Sequence, residues 1–243
     1  MKTIKLNAID STNSFLKDLA QNSDLENYTV VVTNNQTNGR GQQHQTWHSQ
    51  PFKNLTFSIF INNLNLDFKN KKYLNFAISL AVFEAVLNKN IKNLAIKWPN
   101  DIMAGKKKIC GILIETTIKG SKIKNCVIGI GLNVNQINFP KNIKNVSSLK
   151  NITEKEFDLD ILLNEIVDNF KEKINYLSLL KFDELETNYL NVLYKKNIPT
   201  MFKDSNDVLF MGIIRSVSKY GNLLIELEDE TLKEFGIKEV SLA

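Results

Sequence analysis

Hydrophobic spacing divides the chain into two textures. Up to about residue 195, strand-like runs alternate with segments of helical period. Beyond Ile198-Pro199 only short strand-like runs and tight turns remain. In Lys71–Leu87 the residues Tyr73, Phe76, Ala77, Leu80, Phe83 and Leu87 recur at helical spacing, as do Leu162, Ile166, Phe170 and Ile174 within Phe157–Leu177. Further helices are predicted over Phe182–Tyr194 and Asn13–Gln21. Ser11 or Thr12 would be the N-cap of the latter, since a side-chain oxygen there satisfies an orphan amide. Strands are predicted at Tyr28–Thr33, Asn54–Ile61, Leu94–Trp98 (halted by Pro99), Lys108–Ile118 and Lys124–Val134, then at Val208–Ser216 and Asn222–Leu227. This order predicts an α+β chain divided near residue 197. Residues 1–196 form the mixed part and 197–243 a small β-barrel or β-sandwich.

Composition narrows the class. Hydrophobic residues make up 43% and charged residues 23% of the 243, ordinary values for a globular protein. No apolar run reaches the roughly 18 residues a bilayer span needs, and Met1–Asn7 lacks the apolar core of a signal peptide. The only cysteines, Cys110 and Cys126, match neither a metal nor a redox spacing and have apolar neighbours, so reduced core residues in a cytoplasmic protein are expected. Charge is uneven. Residues 1–150 carry 20 Lys and Arg against 8 Asp and Glu, whereas residues 151–243 carry 11 against 18. A basic half suggests an anionic ligand: a nucleotide, a nucleic acid or an acidic protein. Only two of the cations are arginines, Arg40 and Arg215. Arg alone offers a planar fork that grips a carboxylate or phosphate at two points, which singles out Arg40.

Three clusters can carry chemistry. The polar stretch Asn34–Pro51 holds Gly39-Arg40-Gly41 and both histidines. Loops of that length inside a compact domain tend to be functional lids or disordered segments. His44 and His48 lack the partners of a metal site, and no protein metal ligand is predicted. Next, Lys97-Trp98-Pro99-Asn100-Asp101 puts charges around an indole at a strand end, where enzymes often display functional groups. The third is Lys106–Glu115, in which Lys108 opens the strand leading to Gly111, a position where ligand or backbone can pack closely. Gly129 and Gly131 follow on one face of the next strand.

In this order, from Asp10-Ser11-Thr12-Asn13 through Gly39-Arg40-Gly41, Trp47, Lys97–Asp101, Lys108 with Gly111, Gly129–Asn133 and Val146–Leu149 to Glu239–Leu242, the chain resembles the biotin protein ligase family. The resemblance implies a central mixed β-sheet backed by helices and an SH3-like C-terminal domain. It implies ATP, biotin and Mg²⁺, a biotinyl-5′-AMP intermediate, and transfer to a lysine of a biotin carboxyl carrier protein. Arg40 and Lys108 would be the catalytic cations. Ser11, Thr12 and Gln36 would bond the ureido ring of biotin, with Asn13, Arg40, Gly41, Gln42, Lys108 and Gly111 completing its site. Trp47 would cover the adenine, and Lys97, Asn100, Asp101 and Asn133 would serve the nucleotide. No nucleic-acid or membrane partner is expected, and a homodimer is compatible with the resemblance. A lipoate–protein ligase is the nearest rival; Lys97–Asp101 speaks for biotin. A repressor needs a DNA-binding segment, for which the first motif at residue 10 leaves no room, and retained Arg40 and Lys108 argue against an inactive relative.

Where many family members follow Gly-Arg-Gly with a basic residue and another glycine, this chain has Gln42-Gln43-His44. Gln42 supplies no charge and His44 stiffens a loop expected to be mobile, so the adenylate should be held less tightly. Measured adenylate release should be faster from the natural chain than from Gln42→Arg; equal rates would overturn this.

Overall fold

A computed structural model describes residues 2–42 and 45–243. Strands β1 (Thr3–Ile9), β2 (Thr29–Gln36), β3 (Leu55–Ile61), β4 (Leu66–Asp67), β5 (Leu94–Lys97), β6 (Asp101–Ala104), β7 (Lys107–Lys119) and β8 (Lys122–Leu132) make one sheet. Its order is β1-β2-β3-β8-β7-β6-β5, with β4 on β8. Only β1 and β2 pair parallel, so the sheet is mixed.

Alternation along the central strands gives the two faces opposite characters. Phe57, Ile59, Ile112, Ile128 and Ile130 share one face through the pairings Phe57↔Ile130, Ile59↔Ile128 and Ile112↔Ile130. Helices α2 (Lys71–Leu87), α4 (Leu159–Ser178) and α5 (Phe182–Asn191) cover it, and all five residues are at most 2% exposed. Two half-buried ion pairs tie these helices together. Lys173 meets Glu84 at 2.9 Å and Lys72 meets Glu186 at 2.8 Å. The opposite face carries Thr56, Ser58, Gly111, Glu115, Gly129 and Gly131, and α1 (Thr12–Asn22) is the helix that packs there. Leu16 of α1 buries itself with Val31, Phe60 and Val127 at one end, leaving the glycine end open.

Residues 199–242 fold into a second, antiparallel sheet of β9 (Pro199–Asp204), β10 (Leu209–Val217), β11 (Leu223–Leu227), β12 (Leu232–Phe235) and β13 (Val240–Leu242). Its order, β12-β11-β10-β9-β13, suits the expected SH3-like module. Phe202, Phe210 and Phe235 stack through it at 5.6 and 5.5 Å. Arg215 uses its fork as Lys could not, holding both carboxylate oxygens of Glu226 and the side-chain oxygen of Asn197. The Trp98 indole bridges the two sheets by donating to the Gly221 carbonyl at 3.0 Å.

Several elements differ from expectation. β1 was not predicted, because its exposed and half-buried residues (TIKLNAI) carry little apolar signal; it is an edge strand with one neighbour. β6 was not predicted either. After the turn at residues 98–100 the chain doubles back, pairing Asp101 with Lys97. A short helix, α3 (Leu149–Thr153), is capped by Ser148, and α5 stops at Asn191 rather than Tyr194 because Leu193 bridges to Ile96. Both cysteines are free and buried, as expected; burial raises both thiols, that of Cys126 to about 12. Among the described residues no helix is long and apolar enough to cross a membrane.

Tyr189 of α5 is fully buried and stacks on Phe76 at 4.0 Å, yet its hydroxyl has no partner among the described residues. A buried, unpaired hydroxyl costs about 1–3 kcal/mol. Tyr189→Phe should therefore raise the unfolding free energy by about 1 kcal/mol, read as a higher urea midpoint at unchanged m-value; a lowered midpoint would show the hydroxyl to be paired.

Candidate active site

The open end of the glycine-bearing face is a cleft of about 250 Å³. Its floor is where β7 and β8 lack side chains, Gly111 lying directly opposite Gly131. A Cβ at Gly131 would collide with the Trp47 indole, and one at Gly129 with the Asn13 amide. At Gly111 it would lie 3.1 Å from both Lys108 Nζ and the Trp47 ring. The glycines thus let an aromatic ring, an amide and a lysine lie flat on backbone.

Lys108 reaches this floor because of a bulge. Strict alternation would send Lys108 and Gly111 to opposite faces, but β6 pairs Ile102 with Cys110 and Met103 with Lys108, so Ile109 is an extra residue. The bulge re-aims Lys108 into the cleft. There its ammonium pairs with Asp101 at 2.7 Å and lies 5.6 Å from the Trp47 ring centre.

The loop after β2 folds back on itself as a narrow hairpin. Trp47 N–H donates to the Gly39 carbonyl at 2.9 Å, Gly41 N–H donates to that of Gln45, and Arg40 bridges Thr46. This return carries Trp47 over the floor, where its indole N–H is buried without a partner among the described residues. Trp47 thereby takes up much of the space, which explains a volume below the usual range for ligand sites. Gln42 lines the cleft; Gln43 and His44 lie outside the described residues.

At the far end is a buried polar cluster. Ser11 is the helix cap, its side chain accepting from Ser14 N–H, which leaves Thr12 for the cleft. The Thr12 amide and hydroxyl both approach Gln36 Oε1, at 3.0 and 3.2 Å, and Ser58 Oγ lies 2.7 Å from Thr12 Oγ1 and 2.5 Å from Asn13 Oδ1. Asn13 Nδ2 donates to Glu115, which also holds Arg40 at 2.9 Å and Lys17 at 2.8 Å. Burial works to raise the Glu115 pKa, but the hydrogen bonds from Lys17 and Asn13 and the nearby cations outweigh it and hold the carboxyl below its ordinary value.

Ser11, Thr12, Asn13, Gln36, Arg40, Gly41, Gln42, Trp47, Asn100, Asp101, Lys108 and Gly111 all border the cleft. Two predicted residues do not. Lys97 borders a separate hollow of about 500 Å³ between the end of β5 and the second sheet. Asn133 is buried beneath the chain leading to α3, donating to the Ser147 carbonyl at 3.0 Å, with its Oδ1 unpartnered among the described residues. Asn100 borders the cleft, but its amide is committed to the Ile112 carbonyl, clamping the turn before β6 onto β7. Sequence reasoning assigned no site role to Ser58, Glu115, Gly129, Gly131 or Lys238. The alternating glycines were visible in the sequence; Lys238, delivered from the second sheet, had no local signal. Among the described residues no group of three His, Cys, Asp or Glu could hold a metal ion.

The sequence pattern and the fold both recur in other proteins. The pattern of the biotin/lipoate A/B protein ligase family matches residues 6–133. The bifunctional ligase/repressor BirA of Bacillus spizizenii is 31% identical over 168 residues, 68% of this chain and 51% of that protein, so the match spans about half the length of that relative. BirA of Escherichia coli is 27% identical over 246 residues, 98% of this chain and 73% of that protein. Among solved structures, a biotin protein ligase from Aquifex aeolicus in complex with biotin and ATP superposes with a TM-score of 0.80 at 27% identity, covering 100% of this chain and 98% of that one. The family pattern over more than half of the chain, and a relative 31% identical across 68% of it, establish that this chain belongs to the biotin/lipoate A/B protein ligase family.

Proposed function

We propose that the chain is an ATP-dependent biotin protein ligase whose catalytic part is residues 1–196 and whose SH3-like part is residues 197–243. The observation that carries this reading is the convergence of Arg40 and Lys108 on one cleft that ends in the polar cluster of Thr12, Gln36 and Ser58. A ureido ring needs both donors and acceptors, and that cluster, with Ser11 and Asn13, supplies them at one end. The carboxylate of biotin then points toward the cations, beside Gly41, Gln42 and Gly111. It attacks the α-phosphorus of ATP, forming biotinyl-5′-AMP and expelling pyrophosphate. Negative charge gathers at the carboxylate–phosphate junction, and Arg40 and Lys108 stabilise it from fixed positions.

Lys108 gives one of its three donors to Asp101 and has the others for the phosphate. Asp101, a carboxylate of the cleft lining, would be the group to meet a Mg²⁺ accompanying ATP, whose charge would offset that of the phosphates. Trp47 would move from the glycine floor to cover the adenine, keeping water from the anhydride. Lys97, Asn100 and Asn133 would act on the nucleotide side, Asn133 through its unpartnered Oδ1. The ε-amine of a carrier-protein lysine then attacks the acyl carbon and releases AMP.

The setting would be cytoplasmic, the partner a biotin carboxyl carrier protein, and the assembly a monomer or homodimer without nucleic acid or membrane. The repressor activity named in the BirA relatives is not part of the proposal; specific operator binding in a salt-dependent gel shift would add it.

Incubation with ATP, Mg²⁺, biotin and a carrier domain should add one biotin mass to one lysine. A gain with lipoate and none with biotin would overturn the assignment. Lys108→Ala should lower pyrophosphate release by about 10²–10³-fold while changing biotin affinity far less; equal losses in both would assign Lys108 to binding rather than to the chemical step.

A further inference from the structure

Resting on that reading of the cleft, we infer that Glu115 is a positioning residue for Arg40. It pins one edge of the guanidinium to the cleft rim so that the remaining donors meet the substrate carboxylate already oriented. Glu115 projects from β7 on the same face as Gly111, two alternations further along, which brings it beneath the hairpin that carries Arg40. Only Arg40 Nη2 is engaged, by Glu115 Oε2 at 2.9 Å. Nε and Nη1 have no protein partner among the described residues, and Arg40 borders the cleft.

An isolated, half-exposed ion pair would hold Arg40 weakly. Glu115 is not isolated. Its Oε1 takes Lys17 at 2.8 Å, and its Oε2 also accepts from Asn13 Nδ2 at 2.9 Å. Asn13 is buried, and its own Oδ1 accepts from Ser58, whose Oγ also meets Thr12, itself bonded to Gln36. Helix α1 thus holds Glu115 at two points before Arg40 arrives, so the carboxylate is a fixed anchor rather than a wandering surface group. The same chain of bonds joins the polar cluster at one end of the cleft to the cation at the other.

Calorimetric titration of the full chain with biotin and with biotin amide, which lacks the charge, tests this. Glu115→Ala should weaken binding of the acid about tenfold and leave the neutral amide within twofold. Arg40→Ala should behave the same way, and Arg40→Ala/Glu115→Ala should bind the acid no more weakly than Arg40→Ala alone, because the two act as one unit. Glu115→Gln keeps an oxygen for Arg40 and should restore most of the affinity. Equal weakening of acid and amide by Glu115→Ala, or additive losses in the double variant, would overturn the positioning role. Failure of the unaltered chain to bind either compound would instead remove the biotin reading, and the inference with it.

Discussion

Burial of the aliphatic face of β3, β7 and β8 against α2 and α4 holds the register of these strands, since a slip of one residue would turn Phe57, Ile59, Ile128 and Ile130 toward the cleft. Everything in the site follows from that register. It sets Gly111 against Gly131 and Thr56 beside Gly131, and puts Ser58 beside Gly129. It also leaves Glu115 on the cleft side. The reactive face is therefore a by-product of packing on the other face, and its shape is as rigid as the core behind it.

On that platform the site keeps its positive charges compensated. Arg40 is held by Glu115 and Lys108 by Asp101. Each pair is half-exposed, so neither carries a large desolvation penalty, and an incoming anion can join the carboxylate on the cation's remaining donors. Trp47 plays a similar part for apolar surface. Its ring covers bare glycine backbone at the expense of an unpaired indole N–H. A cleft that satisfies its own groups only in part is one from which a ligand can gain.

The second sheet is not a bystander. Trp98 reaches from the Lys97–Asp101 string to the Gly221 carbonyl, and Lys238 borders the cleft from the turn before β13. The indole in that string therefore serves the joint between the sheets, while Asp101 three residues later serves the cleft. Lys97, between them in character, faces the hollow at the joint.

Whatever depends on local pattern was legible along the chain. The long helices came from their 3.6-residue period, most central strands from β-branched runs, the all-β tail from its turns, and the polar and glycine residues bordering the cleft from their order along the chain. The sequence was silent on β1, whose few apolar contacts leave no periodic trace, and on α3. Which side chains meet came from the folded arrangement. A one-residue bulge at Ile109, invisible in composition, turns Lys108 onto the face of Gly111. Burial beneath the approach to α3 takes Asn133 out of the cleft lining. Glu115, unremarkable at the end of an apolar run, becomes the anchor of Arg40 because α1 and the hairpin, 98 and 75 residues away in sequence, converge on it. Periodicity is a property of neighbours along the chain, whereas a site depends on register and crossings between segments far apart, which no local pattern encodes.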